Sequence, residues 1–175
     1  AAEIGARKVT TVRDMKATVA DLRGRGIYTI ARIVTFKDNL LARTKPELAI
    51  RDRNGDIFVD REGLAWADPF QNAVWDYNLQ LAEEAARIGF DEVQFDYIRF
   101  PDTRGLQFSK ANTEANRVAA ITDFLTTVRK RLEPYNVFLG ADIFGYACWN
   151  TNDTEIGQRL EELAKPLDVI SPMLY

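Results

Sequence analysis

The sequence holds no histidine and a single cysteine, Cys148, so proton transfer and nucleophilic attack must run on carboxylates, lysine, tyrosine or that one thiol. This excludes Ser-His-Asp and Cys-His nucleophiles and His-x-x-x-His zinc sites. It also excludes an internal disulfide, a Cys-x-x-Cys redox pair and a thiolate zinc cluster. Two aspartates stand where chemistry is possible: Asp96, near the end of the apolar run Glu92 to Arg99, and Asp142, near the end of Val137 to Ile143. Period-2 alternation puts Gln94 and Asp96 on one face of the first run, with Val93, Phe95 and Tyr97 on the other. In the second run Asp142 shares a face with Gly140, an open position with room for a ligand. On neighbouring parallel strands ~4.8 Å apart, carboxylates at the tips fall roughly 5 to 10 Å from one another. That range covers the ~5 to 5.5 Å of retaining glycosidases and the ~6.5 to 9.5 Å of inverting ones, where one carboxyl group donates a proton and the other acts as nucleophile or base. Arg32 or Arg99 beside one carboxylate would keep it ionised, and a drier site would raise the other into the donor role; the sequence leaves the two roles unassigned.

Further residues qualify as substrate contacts. Arg32 falls near the end of the run Ile27 to Val34 and Asp38 just beyond it; Gln94 shares the face of Asp96; Arg99 closes its own run and Tyr175 follows the last one; Trp66 and Trp149, in loops beside Asp68 and beyond Asp142, could stack on sugar rings. Each has a plainer alternative. A strand-end aspartate also caps helices or pairs with arginine, and Trp75, one residue off an apolar stripe, is ambiguous between core and site. Asp102 reads as a turn cap, Cys148 as a passive small residue, Tyr97 as a ring packed under a helix, and Glu83 and Glu84 as solvated helical positions.

The elements that must position these residues alternate. Val12, Met15, Val19 and Leu22 mark a helix over 11–24, with Thr11 and Asp14 as a capping pair, and Ile27 to Val34 reads as a strand covered on both faces. The irregular stretch Thr35 to Ala67 is too long for a plain connector. Asp68 caps and Pro69 opens the next helix, which Gly89 stops. Then follow the strand Glu92 to Arg99, a helix from Asn112 past Leu132, the strand Val137 to Ile143, a short helix over Ile156 to Leu163, and a strand Val169 to Leu174. Strict alternation implies a parallel sheet covered by helices, either an open doubly wound sheet or a (β/α)8 barrel. No Gly-rich phosphate turn follows a strand, which counts against nucleotide binding, and no cofactor or resident metal is expected.

The chain's 175 residues and 19.9 kDa suffice for one domain but fall short of the ~250 residues usual for a closed barrel. The expectation is a single glycosidase-like barrel domain over 1–175, truncated at one or both ends. Net charge is −3 and no basic run exceeds Arg129-Lys130-Arg131, which argues against a nucleic-acid partner. No apolar stretch approaches the ~18 residues of a membrane span. Ala1 to Lys8 lacks the apolar core of a signal peptide, but the chain starts without methionine, so compartment stays open.

The segment Gly89-Phe90-Asp91-Glu92-Val93-Gln94-Phe95-Asp96-Tyr97-Ile98-Arg99-Phe100-Pro101 resembles the signature of a bacterial and archaeal glycosyl hydrolase domain family, long catalogued as a domain of unknown function. Similar segments surround Tyr28 to Val34 with Phe36-Lys37-Asp38, Leu64-Ala65-Trp66 with Asp68-Pro69, Ala141 to Gly145 and Asp168 to Met173, so the likeness runs from about Ile27 to Tyr175. The resemblance implies a TIM-type barrel of the glycosidase superfamily with further strands outside this chain, and leans towards an extracellular or cell-envelope setting. The Asp91, Gln94, Asp96 spacing is distantly similar to the strand-four motif of chitinase-type glycosidases. That motif continues to a glutamate acid where this chain has Ile98, which argues against substrate-assisted chemistry.

The resulting expectation is a glycoside hydrolase acting on an oligo- or polysaccharide, with Asp96 and Asp142 dividing the acid and nucleophile or base roles. The rivals are a carbohydrate-binding barrel without turnover and a divalent-metal enzyme with Asp38, Asp96 and Asp142 as oxygen ligands.

Overall fold

The computed structural model of the protein describes residues 12–174. Helix α1 (Met15–Gly24) is capped by Asp14, whose carboxylate accepts from the Ala17 amide at 3.0 Å; Thr11, the expected second member of that cap, lies outside the described residues. Strand β1 (Ile30–Val34) leads into a short helix α2 (Asn39–Thr44), followed by α3 (Asn72–Ile88), β2 (Glu92–Asp96), α4 (Glu114–Leu132), β3 (Phe138–Phe144), α5 (Leu160–Leu163) and β4 (Val169–Met173).

Several boundaries differ from the sequence expectation for identifiable reasons. The helix expected from Pro69 begins at Asn72, because Asp68 is buried and bonds elsewhere: its carboxylate accepts from the Phe70 amide and, at 2.7 Å, from the Ser109 amide across the fold. Thr113, one residue beyond the expected Asn112, caps α4 by accepting from the Asn116 amide. Ile156 is buried in a loop, and α5 starts only at Leu160. The stretch 35–67 is not simply irregular. It carries α2 and folds back through antiparallel bridges pairing Ala49 with Ala67 and Val59 with Ala65.

All strands are parallel in the order β1-β2-β3-β4, with Arg32 opposite Gln94, Gln94 opposite Gly140 and Asp142 opposite Ser171. A doubly wound sheet reverses its order at a switch point; this one advances without reversal, as barrel strands do. One face of the sheet carries Val93, Phe95, Leu139, Ala141 and Ile143, all fully buried. Phe124 of α4 meets Phe95 edge-on at 5.4 Å and Phe36 at 5.5 Å, joining helix layer to sheet. Among the described residues no helix covers the opposite face. Ile30, Val34 and Phe138 are 46%, 40% and 53% exposed there, so β1 is covered on one face rather than on both. Helices outside and a polar, open inner face define an arc of a (β/α)8 barrel, with its strand tips pointing to one rim.

Ion pairs centred on two buried carboxylates, Glu83 and Asp153, tie the outer layer together. Glu83, expected on a solvated face, is buried, because Arg131 of α4 reaches back to it at 2.8 Å and Arg87 at 3.7 Å. Arg117 of α4 and Asp153 form a buried fork at 2.6 and 3.0 Å; Asp153 also accepts from the Glu155 and Gly157 amides, which organises the loop ahead of α5.

Candidate active site

The strand register brings the two sequence-selected aspartates to one spot. Continuing the β2–β3 pairing of Gln94 with Gly140 by two residues sets Asp96 beside Asp142, both on the inner face. Arg32 of β1 reaches across both: its Nη2 donates to Asp96 Oδ2, and its Nε donates to Asp142 Oδ2 at 3.3 Å. Two carboxylates on one guanidinium are separated by roughly 8 Å at most, two hydrogen-bond lengths plus the width of the group, which admits either glycosidase geometry.

Their surroundings differ. Asp96 is 1% exposed, and its second oxygen accepts from the Tyr97 amide at 2.6 Å, so both oxygens are held. Asp142 is 14% exposed and faces the open side. Burial, followed by the charge of Asp96, pushes the Asp142 carboxyl above the ordinary range, and Arg32 only partly opposes this. Gln94 donates to Ser171 Oγ at 3.2 Å, adding β4 to the polar floor. The position beside Gly140 is not open, as the sequence suggested. The buried Glu92 side chain fills it, so that a Cβ on Gly140 would stand 2.2 Å from Glu92 Oε1. Tyr28 donates to the other Glu92 oxygen at 2.9 Å, and burial together with that carboxylate pushes the tyrosine hydroxyl up to about 12.

Beyond the strand tips lies a cleft of about 340 Å³. Tyr97 lines it rather than packing under a helix, because the chain turns there through φ 51°, a left-handed conformation that costs a non-glycine residue roughly 1–3 kcal/mol. Arg99 and Trp149, both sequence candidates, line the cleft as well, and Trp149 is 70% exposed. Gly145 closes the floor; a Cβ there would come 2.3 Å from the Met173 carbonyl oxygen. Trp66 does not reach the solvent. It is 2% exposed, with its indole N–H donating to Asp60 at 3.0 Å and its ring against Tyr97, so no face is free for a sugar. Asp38 caps α2 by accepting from the Leu41 amide at 2.9 Å. Tyr175 lies outside the described residues. Trp75 is core, with its N–H on the Pro69 carbonyl and its ring edge-on to Phe124.

Three contributors escaped sequence reading. Ser171 shares the alternation that marks Asp142 and was findable from it; Tyr97 depends on a backbone turn with no residue signal. The third is Lys37, buried between Asp60 at 2.8 Å and Glu62 at 3.0 Å, which places its ammonium 4.9 Å from the Tyr97 ring centre. Burial opposes ionisation of Asp60, but hydrogen bonds from Lys37, Trp66 and two amides hold its carboxyl down at about 2. Among the described residues no three Asp, Glu or Cys side chains stand in a metal-holding group.

Over residues 1–175 the sequence matches the family described as "Putative glycosyl hydrolase domain". The chain belongs to that family. A hypothetical protein from Ruminiclostridium thermocellum ATCC 27405 is 38% identical, with a TM-score of 0.71 over 81% of this chain and 70% of that one. Ega3 of Aspergillus fumigatus, solved in complex with galactosamine, is 16% identical with a TM-score of 0.56, covering 86% of this chain and 66% of its own. The glycoside hydrolase domain of PelA from Pseudomonas aeruginosa is 14% identical with a TM-score of 0.62, covering 90% and 55%. These last two share the fold, and the chain spans about two thirds and about half of their lengths. No curated protein matches the sequence. The family's barrel is therefore the architecture of this chain, and no described helix is long and apolar enough to cross a membrane.

Proposed function

We propose that the protein is a glycoside hydrolase cleaving an oligo- or polysaccharide, in which Asp142 donates a proton to the leaving oxygen and Asp96 acts as nucleophile or general base. The observation that carries this reading is the pairing of two strand-tip carboxylates on one guanidinium; burial and the charge of Asp96 push the Asp142 carboxyl above the ordinary range, as suits a proton donor. Residues 1–175 act as one barrel domain, and the substrate lies along the rim over Arg32, Gln94 and the aromatic cleft. Because Asp96 sits beneath Arg32, whose side chain is 55% exposed, sugar binding draws the guanidinium off Asp96 Oδ2 and opens that oxygen to the anomeric carbon. As the glycosidic bond breaks, the Asp142 proton passes to the departing oxygen. Water then completes the reaction, with Asp142 as base if Asp96 has formed a glycosyl ester, or with Asp96 itself as base if it has not.

A second reading, carbohydrate binding without turnover, draws support from the near-complete burial of Asp96. Screening the protein against a polysaccharide panel, with reducing ends and product anomers followed by NMR, separates the two. Hydrolysis that Asp96→Asn and Asp142→Asn each reduce by about 10²- to 10⁴-fold, with sugar affinity retained, supports the hydrolase. Affinity without product in the wild type supports the binding protein. The metal-enzyme reading requires Asp38 beside the pair, whereas that residue is occupied in capping α2.

A further inference from the structure

Among the described residues the aromatic cleft is lined by one side chain with a permanent charge, and no carboxylate forms a salt bridge with it. Arg99 is the only ionisable side chain other than tyrosine among the residues lining it, with Tyr97, Phe144, Tyr146, Trp149 and Leu174 around it. Its guanidinium carbon stands 5.1 Å from the Trp66 ring centre, 5.3 Å from that of Tyr97 and 6.0 Å from that of Phe144. Three aromatic rings surround the group, and one of its N–H donors is committed, to the Phe100 carbonyl at 3.1 Å. No carboxylate among the described residues pairs with it. Asp96 is held by Arg32 and Asp60 by Lys37, while Asp102 acts on Arg99 only at longer range. Burial draws the Arg99 pKa below the ordinary arginine value, although Tyr97, Asp102, Asp96 and Asp60 oppose this through their charge. Arginine nonetheless remains charged at neutral pH, so the remaining donors form a rigid fork that suits a planar or tetrahedral oxyanion.

We propose that Arg99 selects an anionic saccharide, one whose ring carries a carboxylate or a sulfate ester, seated in the aromatic cleft one step along the rim from the carboxylate pair. The inference deepens the hydrolase reading, since it takes the cleft to be a sugar subsite of the same rim. The aromatic walls Tyr146 and Trp149, 64% and 70% exposed, offer ring faces to the sugar, and Arg99 offers the charge. A protonated amino sugar placed there would meet a like charge, so the cleft rejects it.

The test is binding to a glycan array holding uronate-bearing, sulfated, neutral and amino oligosaccharides, with the Asp142→Asn variant used so that turnover cannot consume the ligand. Affinities of the retained glycans are then measured by calorimetry for Asp142→Asn and for the doubles with Arg99→Gln and Arg99→Lys. The expected result is retention of acidic glycans, with uronate or sulfate arms identifying the group. Arg99→Gln should weaken binding at least tenfold and flatten its salt dependence, Arg99→Lys should restore part of it, and removing the charge by methyl esterification of a uronate should reproduce the loss. Retention of neutral or amino glycans alone, retention of none, or equal weakening of acidic and neutral ligands by Arg99→Gln overturns the proposal. Acid-selective binding with no hydrolysis by the wild type would keep it and remove the hydrolase, while neutral-sugar hydrolysis would do the reverse.

Discussion

At the residue scale the central feature is an asymmetry between two like side chains. Asp96 and Asp142 share Arg32 but differ in exposure, 1% against 14%, and burial together with its neighbour's charge pushes the Asp142 carboxyl above the ordinary range. The sign follows directly. A group that must be protonated to act, with a raised pKa, is competent below that pKa and fails as pH rises through it. Hydrolysis should therefore fall on the alkaline side of a limb displaced above the ~4 of a free aspartate, and Asp142→Asn should abolish that limb together with most of the rate. A limb left in place by that substitution would assign the acid elsewhere. The pair itself was legible in the sequence, because alternation in Glu92 to Arg99 and Val137 to Ile143 fixes which side chains face inwards, and an absence of histidine leaves carboxylates to carry the chemistry. That Arg32 could stand beside a carboxylate was legible, but not that it would bridge both, nor which of the two would be held more tightly: the first depends on a strand some sixty residues away, the second on the Tyr97 turn at φ 51°. Trp66 shows the converse: a tryptophan in a loop next to the site, read as a platform for sugar, is walled in by Tyr97 and bonded to Asp60.

At the element scale, the loop between β3 and α5 frames the cleft, and its shape rests on one buried ion pair. Arg117 and Asp153 are 8% and 2% exposed, and Asp153 takes two loop amides in addition to the fork. Asp153→Ala strands a buried guanidinium and frees those amides, so denaturant unfolding should show a loss of about 3–5 kcal/mol. A loss under about 1 kcal/mol would mean that the loop is held by other contacts. The alternation of helices with strands was readable because apolar stripes and continuous β-branched runs differ in period. Helix starts were less so, since capping residues have competing uses. Asp68 stands where an N-cap would, yet its carboxylate ties the Ser109 segment down, and α3 begins four residues later. The covering of β1 was misjudged for a related reason: an apolar strand lining a barrel interior has the same composition as one buried under helices on both sides.

At the scale of the whole molecule, the site exists only because four strands from distant parts of the chain advance in order and deliver Arg32, Asp96, Asp142 and Ser171 to one rim. The family's barrel supplies that geometry, and the residues on the rim supply the proposed division between proton donor and nucleophile or base. The most direct test of this division compares substrates differing only in leaving group, using the glycan identified by the panel as a natural oligosaccharide and as its dinitrophenyl glycoside. The expected result is that Asp142→Asn lowers kcat/KM on the natural linkage by about 10²- to 10⁴-fold but barely lowers kcat/KM on the activated glycoside, whose leaving group needs no proton, while Asp96→Asn disables both. Equal losses on the two substrates for Asp142→Asn, or full activity in Asp96→Asn, would contradict the assignment.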